Sequence, residues 1–202
     1  MKKEKLDMLN EIVRKLSVSE VKEVERPQEK NFIQSVLREY TLHGGMKFCR
    51  EEILKNGKAG SAVIVVPVVG EEILSVIEPR VFTKLTVGIG FPAGYIEKGE
   101  EPIKAALREL REETGLEAEQ LIELDSFYQD EGCSSALNVI YLALNCKKKY
   151  EQQLDADEVV ETMMFTYEEL LELEKMGYIM GGNSKLALLK MKKYLRKWFY
   201  EF

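Results

Sequence analysis

The sequence predicts an α/β fold in which a mixed sheet lies between layers of helices. The first observation is the order of the elements: strands, one helix, further strands and two final helices. That order is typical of a sheet covered by helices on both faces. The second is the run SAVIVVPVV at 61–69, whose β-branched residues indicate a buried strand. The third is a helical pattern at 102–114, between the two groups of strands.

The elements before residue 57 predict a small extension in front of the main domain. Apolar spacing and the positions of glycine, proline and asparagine define them. They are a helix at 2–16, a charged connector at 17–30, and two strands within 31–54 that flank a turn at His43-Gly44-Gly45. We therefore expect an N-terminal extension at 1–57, with a small β-sheet, and a main domain at 58–202.

The elements after residue 57 predict the main sheet and its covering helices. The strands are indicated by apolar and β-branched runs, and the helices by apolar residues at a period near 3.6, with Gly177 as the stop of the first of the two. The predicted strands are 61–69, 73–79, 85–94, 125–132, 136–145 and 161–167, and the predicted later helices are 168–177 and 184–200.

The composition of the 202-residue chain excludes several classes of protein. A formal net charge of −6 makes nucleic acid a poor partner. The three cysteines form no C-x-x-C pair, so neither a disulfide framework nor a zinc site is indicated, and a cytoplasmic location is expected. The longest apolar run is too short to span a bilayer, so no membrane partner is expected.

The stretch GYIEKGEEPIKAALRELREETGL, residues 94–116, predicts a helix after a bent loop. Pro102 suits the first turn of a helix, and Gly115 suits the position after its end. Apolar residues at helical spacing are expected to face the core, and glutamates to lie on the other side. The apolar set is Ile103, Ala106, Leu107 and Leu110, and the acidic set is Glu109, Glu112 and Glu113.

Three neighbouring carboxylates on one helix repel one another unless a cation lies between them. Arg108 precedes Glu112 by four residues and can pair with it, but one arginine cannot neutralise three carboxylates. A bound divalent cation could, because Mg²⁺ prefers oxygen ligands such as carboxylates. The alternative is a solvated charged face, which most acidic helices have.

The same stretch fits the pattern G-x5-E-x7-R-E-U-x-E-E-x-G-U, where U is a large aliphatic residue. It resembles the signature of the Nudix hydrolases. The resemblance implies the α/β/α Nudix sandwich and the hydrolysis of a nucleoside diphosphate linked to another moiety, with Mg²⁺ or Mn²⁺ as cofactor. It also implies that Glu109 and Glu113 are metal ligands, that Glu112 lies close to the metal, and that Glu112 and Glu113 are catalytic.

Further stretches resemble the ADP-ribose pyrophosphatase branch of this family. In FPAGYIEKGE the resemblance implies that the backbone carbonyl of Ala93 binds a metal, and in VIEPR that Arg80 contacts substrate phosphate. In LDADEVVETMMF it implies that Glu158 is a base or a metal ligand; a merely solvated loop glutamate is the alternative. Gly90 and Ala136 stand where members of the branch often carry glutamates.

Residues 31–54 resemble the small sheet through which members of that branch dimerise. The resemblance implies a homodimer in which the second copy lends residues to the nucleotide pocket. Phe48 and Arg50 are the candidates for substrate binding, since aromatic rings stack on adenine and arginine suits phosphate oxygens. Ordinary packing within the small sheet is the alternative for Phe48.

The leading hypothesis is a cytoplasmic Nudix pyrophosphatase that hydrolyses ADP-ribose or an ADP-sugar to AMP and a sugar phosphate. One alternative is a housecleaning pyrophosphatase of modified nucleoside triphosphates or of another nucleotide sugar. A second is a non-catalytic Nudix ligand sensor, although all the motif glutamates are present and favour an enzyme. The sequence leaves open the sugar and base, the number of metal ions, the general base and the dimer geometry.

Overall fold

The computed structural model describes residues 1–22, 31–156 and 158–200, with the backbone alone for 195–200. Part of the predicted connector therefore lies outside the described residues. The elements in chain order are α1 Lys3–Leu16, β1 Ile33–Thr41, β2 Lys47–Lys55, β3 Ala62–Val69, β4 Glu72–Pro79, β5 Val87–Gly90, β6 Ala93–Tyr95, α2 Pro102–Thr114, β7 Leu116–Glu117, β8 Gln120–Tyr128, β9 Leu137–Leu144, β10 Lys147–Lys148, β11 Glu161–Phe165, α3 Tyr167–Met176 and α4 Gly182–Tyr200.

The described residues form a seven-stranded mixed sheet, as the sequence predicts. Its main path runs β11-β4-β3-β9-β8, while β5 pairs with β4 and β6 pairs with β3. Strands β3 and β9 are parallel, and the other pairs are antiparallel. Strand β3 therefore lies at the centre, where helices must cover both of its faces.

Hydrophobic clusters on the two faces of the sheet confirm the α/β/α sandwich. Side chains alternate between the faces of a strand. Ile64 of β3 accordingly packs in a cluster with residues of α1, α3 and α4, and Val65 packs in a second cluster with residues of α2. The part of the chain that the structure describes contains no helix long and apolar enough to cross a membrane.

Strands β1 and β2 form a separate antiparallel hairpin, and its turn falls at the predicted position. The register runs from Ile33 opposite Lys55 to Thr41 opposite Lys47. Helix α1 does not belong to this hairpin, because Leu9 is fully buried in the main core. The predicted boundary between 1–57 and 58–202 stays a prediction. Helix α1 itself packs with residues of 58–202.

Helix α2 begins and ends where the sequence predicts, but its buried face differs. Pro102 is at the first helical position, and Gly115 ends the helix in the left-handed region with φ of 65°. The expectation that Ile103 and Leu107 face the core was wrong, because both are 43% exposed. The buried side is rotated toward the glutamates and consists of Ala105, Ala106, Leu110, Glu113 and Thr114.

The strand predicted at 125–132 also differs from the structure. Strand β8 begins at Gln120 and ends at Tyr128. The residues after it form turns, in which the N–H groups of Cys133 and Ser134 both donate to the carbonyl of Asp130. The early start of β8 is set by its partner β9, because Gln120 pairs with Leu144 at the far end of that strand.

Candidate active site

The glutamates of α2 face the short strand β6 rather than open solvent. The N–H of Ala93 donates a hydrogen bond to Glu113 Oε1 at 3.3 Å. A Cβ atom on Gly94 would lie 2.0 Å from Glu109 Oε1, so a side chain at that position would displace this carboxylate. The exposed fraction of Glu113 is 8%. The helix therefore holds two carboxylates at the margin of the core, against the backbone of β6.

Arg108 lies among the other carboxylates of this site. Its Nη1 is 2.6 Å from Glu109 Oε1 and 3.1 Å from Glu112 Oε2. Its Nε is 3.0 Å from Glu100 Oε1, and its Nη2 is 3.0 Å from the carbonyl oxygen of Tyr95. Hydrogen bonds from Arg108 accordingly hold the pKa of Glu100 below its ordinary value.

Glu113 has the most unfavourable electrostatic surroundings in this group. Burial, followed by repulsion from Glu78, raises its pKa to about 8, against the single stabilising contact from the Ala93 N–H. Glu109 and Glu158 add further repulsion. The pKa of Glu109 is also raised, mainly by burial, although Arg108 opposes the shift. A cation placed among these carboxylates would relieve both effects.

Strand β4 contributes Glu78 to the same site, and Arg80 follows directly after the end of this strand. Arg80 Nη2 is 2.5 Å from Glu78 Oε1. Gly88 on β5 pairs with Glu78 in the sheet, and a Cβ atom there would lie 2.6 Å from Arg80 Cγ. Burial raises the pKa of Glu78, and the Arg80 guanidinium opposes the shift. The absence of a side chain at residue 88 thus leaves room for the stem of Arg80.

The carboxylates and Arg80 line a cleft of about 560 Å³, which we call the catalytic cleft. At its mouth the rings of Phe32 and Tyr95 are 6.3 Å apart between centroids, and Lys55 Nζ is 5.5 Å from the Tyr95 centroid. A second hollow of about 400 Å³ adjoins it near the start of α4. The combined site thus contains carboxylates, cationic side chains and exposed aromatic rings within one depression.

Comparison with known proteins assigns this fold and site to a family. The NUDIX domain model matches residues 58–181, which is more than half of the chain. The chain belongs to the NUDIX family. It is 36% identical over 155 residues to an ADP-ribose pyrophosphatase of Bacillus subtilis, covering 71% of this chain and 83% of that protein. It is 34% identical over 96 residues to an ADP-sugar pyrophosphatase of Mus musculus, covering 45% of this chain and 44% of that protein.

Other matches of this Nudix chain are more distant or shorter. A methanol dehydrogenase activator of Bacillus methanolicus is 39% identical over 101 residues, and the chain spans about half of its length, 55%. A solved structure described as an ADP compounds hydrolase superposes with a TM-score of 0.70 over 90% of this chain and 94% of its own, at 22% identity, which supports the fold alone. Taken together with the family match, the relatives make the chain a Nudix pyrophosphatase hydrolase.

The structure brings most of the predicted site residues of the Nudix domain into the catalytic cleft. The predicted residues that line it are Arg80, Ala93, Glu109, Glu112, Glu113 and Glu158. Phe48 and Arg50 instead line a separate depression of about 240 Å³ on the hairpin. There the Arg50 guanidinium carbon is 5.0 Å from the Phe48 ring, and Phe48 stacks on Tyr40. Within one chain these two residues therefore do not reach the cleft.

Sequence reasoning missed three residues that line the site: Glu78, Tyr95 and Asn138. Glu78 stands two residues before Arg80, which directly follows β4, and this spacing predicts both side chains on the same side of an extended chain. Asn138 is the polar exception in the otherwise apolar run of β9, and this was the signal that could have identified it. Tyr95 follows the Ala93-Gly94 pair and gave no comparable signal.

Nudix hydrolases generally use divalent metal ions, and the donor set of this site suits one. Carboxylate oxygens are the ligands that hard divalent cations prefer, and the mutual repulsion at Glu113 is the kind of strain that a cation relieves. Among the described residues, however, no group of three or more His, Cys, Asp or Glu side chains is arranged to hold an ion. Arg108 lies between Glu109 and Glu112 in this arrangement.

Proposed function

We propose that this Nudix chain hydrolyses ADP-ribose or a related ADP-sugar to AMP and a sugar phosphate in the cytoplasm. The observation that carries the proposal is the 36% identity to the Bacillus subtilis ADP-ribose pyrophosphatase, over 83% of the length of that protein. The catalytic cleft supports it, because it combines a glutamate cluster, Arg80 and an exposed aromatic pair. The glutamates suit a divalent cation, Arg80 suits the diphosphate, and the aromatic pair suits the adenine.

The proposed cofactor is Mg²⁺ or Mn²⁺, held by Glu109 and Glu113, with Glu112 close by and the Ala93 carbonyl as a further ligand. When bound, the ion would neutralise charge on the diphosphate and lower the pKa of the attacking water. The carboxylates are fixed for this task by α2 and by the backbone of β6, through Ala93 N–H and Gly94. Rigid support of this kind is what a metal site needs.

Arg80 and Glu158 have separate proposed tasks. Arg80 would bind a phosphate oxygen, and its ion pair with Glu78 at 2.5 Å holds the guanidinium at the cleft wall. Glu158 would accept a proton from the attacking water or complete the ligand set. Glu158 is exposed on the loop after β10, and its carboxylate accepts the N–H of Asp155 at 3.1 Å. Glu112 is the third motif carboxylate and would assist in accepting the proton or in completing the metal-ligand set.

The hairpin β1–β2 is proposed to join two copies of the chain. On β1, Leu37 is 71% exposed and Val36 is 37% exposed. Neighbouring exposed apolar side chains of this kind suit a contact with another protein chain. In a homodimer Phe48 and Arg50 of this hairpin would approach the cleft of the second copy. This arrangement would give the distant depression on the hairpin a role in nucleotide binding.

A panel of substrates with Mg²⁺ tests the proposed function. ADP-ribose, another ADP-sugar, GDP-mannose and modified nucleoside triphosphates are each incubated with the protein, and phosphate is measured after a coupled phosphatase step. We expect the highest kcat/KM with ADP-ribose or the ADP-sugar, and AMP as a product. A clear preference for a triphosphate would contradict the proposal, and an absence of turnover with every compound would favour a ligand sensor. An EDTA-treated sample is the control for metal dependence.

A further inference from the structure

The hollow beside the catalytic cleft has the chemistry of a second subsite, which we call the α4 recess. We propose that it binds a neutral, hydroxyl-bearing sugar attached to the diphosphate, an inference that rests on the proposed function. The recess has a volume of about 400 Å³ and is continuous with the cleft, since both are lined by Glu78, Arg80 and Ala93. A moiety bonded to a phosphate in the cleft could therefore extend into it.

The lining of the α4 recess lacks charge away from the cleft. Lys55, Glu78 and Arg80 are its charged residues, and all three also line the catalytic cleft. The remaining lining residues in the described part of the chain are uncharged. A further phosphate, as in a nucleoside triphosphate, would find no cation deeper in the recess than Lys55 and Arg80 at its cleft side, and this favours an uncharged occupant there.

The start of helix α4 supplies hydrogen-bond donors to the recess. Gly181 to Ser184 all line it, and α4 is a helix of 19 residues. The first N–H groups of a helix have no acceptor within the helix, and Gly181 has no side chain with which to cap them. Gly90 on β5 leaves room for the Ser184 hydroxyl, because a Cβ atom there would lie 2.7 Å from Ser184 Oγ.

Asn138 of β9 supplies an independent observation at the same place. Its side chain is directed toward the start of α4, because Nδ2 is 3.5 Å from Asn183 Oδ1. The residue is 1% exposed, and its Oδ1 has no hydrogen-bond partner among the described residues. Buried amide oxygens in folded proteins are normally paired. The recess therefore holds an acceptor that needs a donor and helix N–H groups that need acceptors.

A sugar hydroxyl meets both requirements at once, because a hydroxyl donates one hydrogen bond and accepts others. An ionised phosphate or carboxylate cannot donate to Asn138. A nucleobase fits less well, because the recess has only Tyr95 of the exposed aromatic pair, whereas Phe32 lines the cleft alone. Phe91 in the recess wall is 4% exposed and offers no stacking face. The arrangement thus favours a base near Phe32, where both rings of the pair are available, and a sugar near the start of α4.

Two substrates and three variants test the assignment. ADP-ribose is compared with the methyl ester of ADP, which contains the same anhydride but no distal sugar. In Asn138→Ala and in Ser184→Ala we expect kcat/KM for ADP-ribose to fall by about 10- to 100-fold, because a hydroxyl then lacks its partner. We expect the methyl ester to change by less than about threefold in the same variants. Asn10→Ala is the matched control, because Asn10 of α1 lines neither the recess nor the cleft and its side chain accepts a hydrogen bond from the Tyr178 hydroxyl.

The outcome separates the subsite from the proposed function. An equal loss for both substrates, or no loss for either, in Asn138→Ala and in the more exposed Ser184→Ala would overturn the subsite. If the wild type hydrolyses neither substrate, the proposed function fails and calorimetry decides the subsite. Ribose 5-phosphate should then bind wild type at least about tenfold more tightly than methyl phosphate, and Asn138→Ala should abolish that difference. Equal binding of ribose 5-phosphate and methyl phosphate by the wild type would refute a sugar subsite in the recess.

Discussion

Replacing Glu113 with glutamine is expected to abolish activity and, without metal, to stabilise the folded chain. The variant keeps the shape of the side chain and its contact with the Ala93 N–H but removes the buried charge. Activity with Mg²⁺ should fall by about two orders of magnitude or more, as when other groups that stabilise charge are lost. Stability should change in the opposite direction because the native pKa of Glu113 is raised from 4.5 to about 8.

The sign and size of the stability effect follow from proton linkage. The native state keeps the Glu113 proton up to about pH 8, while the unfolded chain loses it near pH 4.5. Wild-type stability therefore falls as pH rises through this window, by at most about 1.4 kcal/mol per pH unit. Between about pH 5.5 and pH 8.5 the advantage of Glu113→Gln over wild type should grow by up to about 3 kcal/mol.

Urea unfolding in EDTA at about pH 5.5 and pH 8.5 measures this difference for both proteins. Mg²⁺ should stabilise wild type more at the higher pH, where Glu113 binds it without first losing a proton. The same ion should have little effect on Glu113→Gln. A glutamine variant that is less stable than metal-free wild type at pH 8.5, or a difference that does not change with pH, would refute the reasoning.

Three further predictions concern other parts of the site. Glu158→Gln should lower kcat for ADP-ribose by about tenfold or more with little change in KM, as measured by steady-state kinetics. Equal kinetics of variant and wild type would mean that Glu158 is a solvated loop residue without a catalytic role. Gly88→Ala should raise KM several-fold by displacing Arg80, since the added atom would lie 2.6 Å from Arg80 Cγ, whereas Gly44→Ala, with nothing within 4 Å, should not. If the proposed homodimer forms through the hairpin, Leu37→Glu should yield monomers in light scattering, and a monomeric wild type would contradict the proposed assembly.

The sequence predicted the fold well because hydrophobic periodicity determines most of its elements. The β-branched run became β3, and Pro102 and Gly115 mark the ends of α2 in the structure. Periodicity failed at Ile103 and Leu107, which an ideal apolar stripe includes. The helix is instead rotated so that Glu109 and Glu113 approach β6. Short apolar patterns cannot reveal this, because the functional demand to turn carboxylates inward competes with burial.

The site was predicted where its residues are close in sequence and missed where they are distant. The glutamates of α2 lie within one motif, so their spacing alone placed them together. Glu78 and Asn138 reach the same site from β4 and β9 through sheet pairings that a linear pattern does not encode. Phe48 and Arg50 line a depression away from the cleft of their own chain, and their predicted contribution to the cleft of a second copy stays a prediction.

The positions of the charges also indicate why Arg108 does not replace a metal. Its guanidinium contacts Glu100, Glu109 and Glu112, so it neutralises the outer part of the cluster. The Glu113 carboxylate accepts one backbone N–H hydrogen bond, from Ala93. It is repelled by neighbouring carboxylates, of which Glu78 contributes most. The arginine thus holds the helix carboxylates together without satisfying the innermost one. A divalent cation beside Glu113 and β6 would therefore relieve the largest electrostatic cost in the cluster.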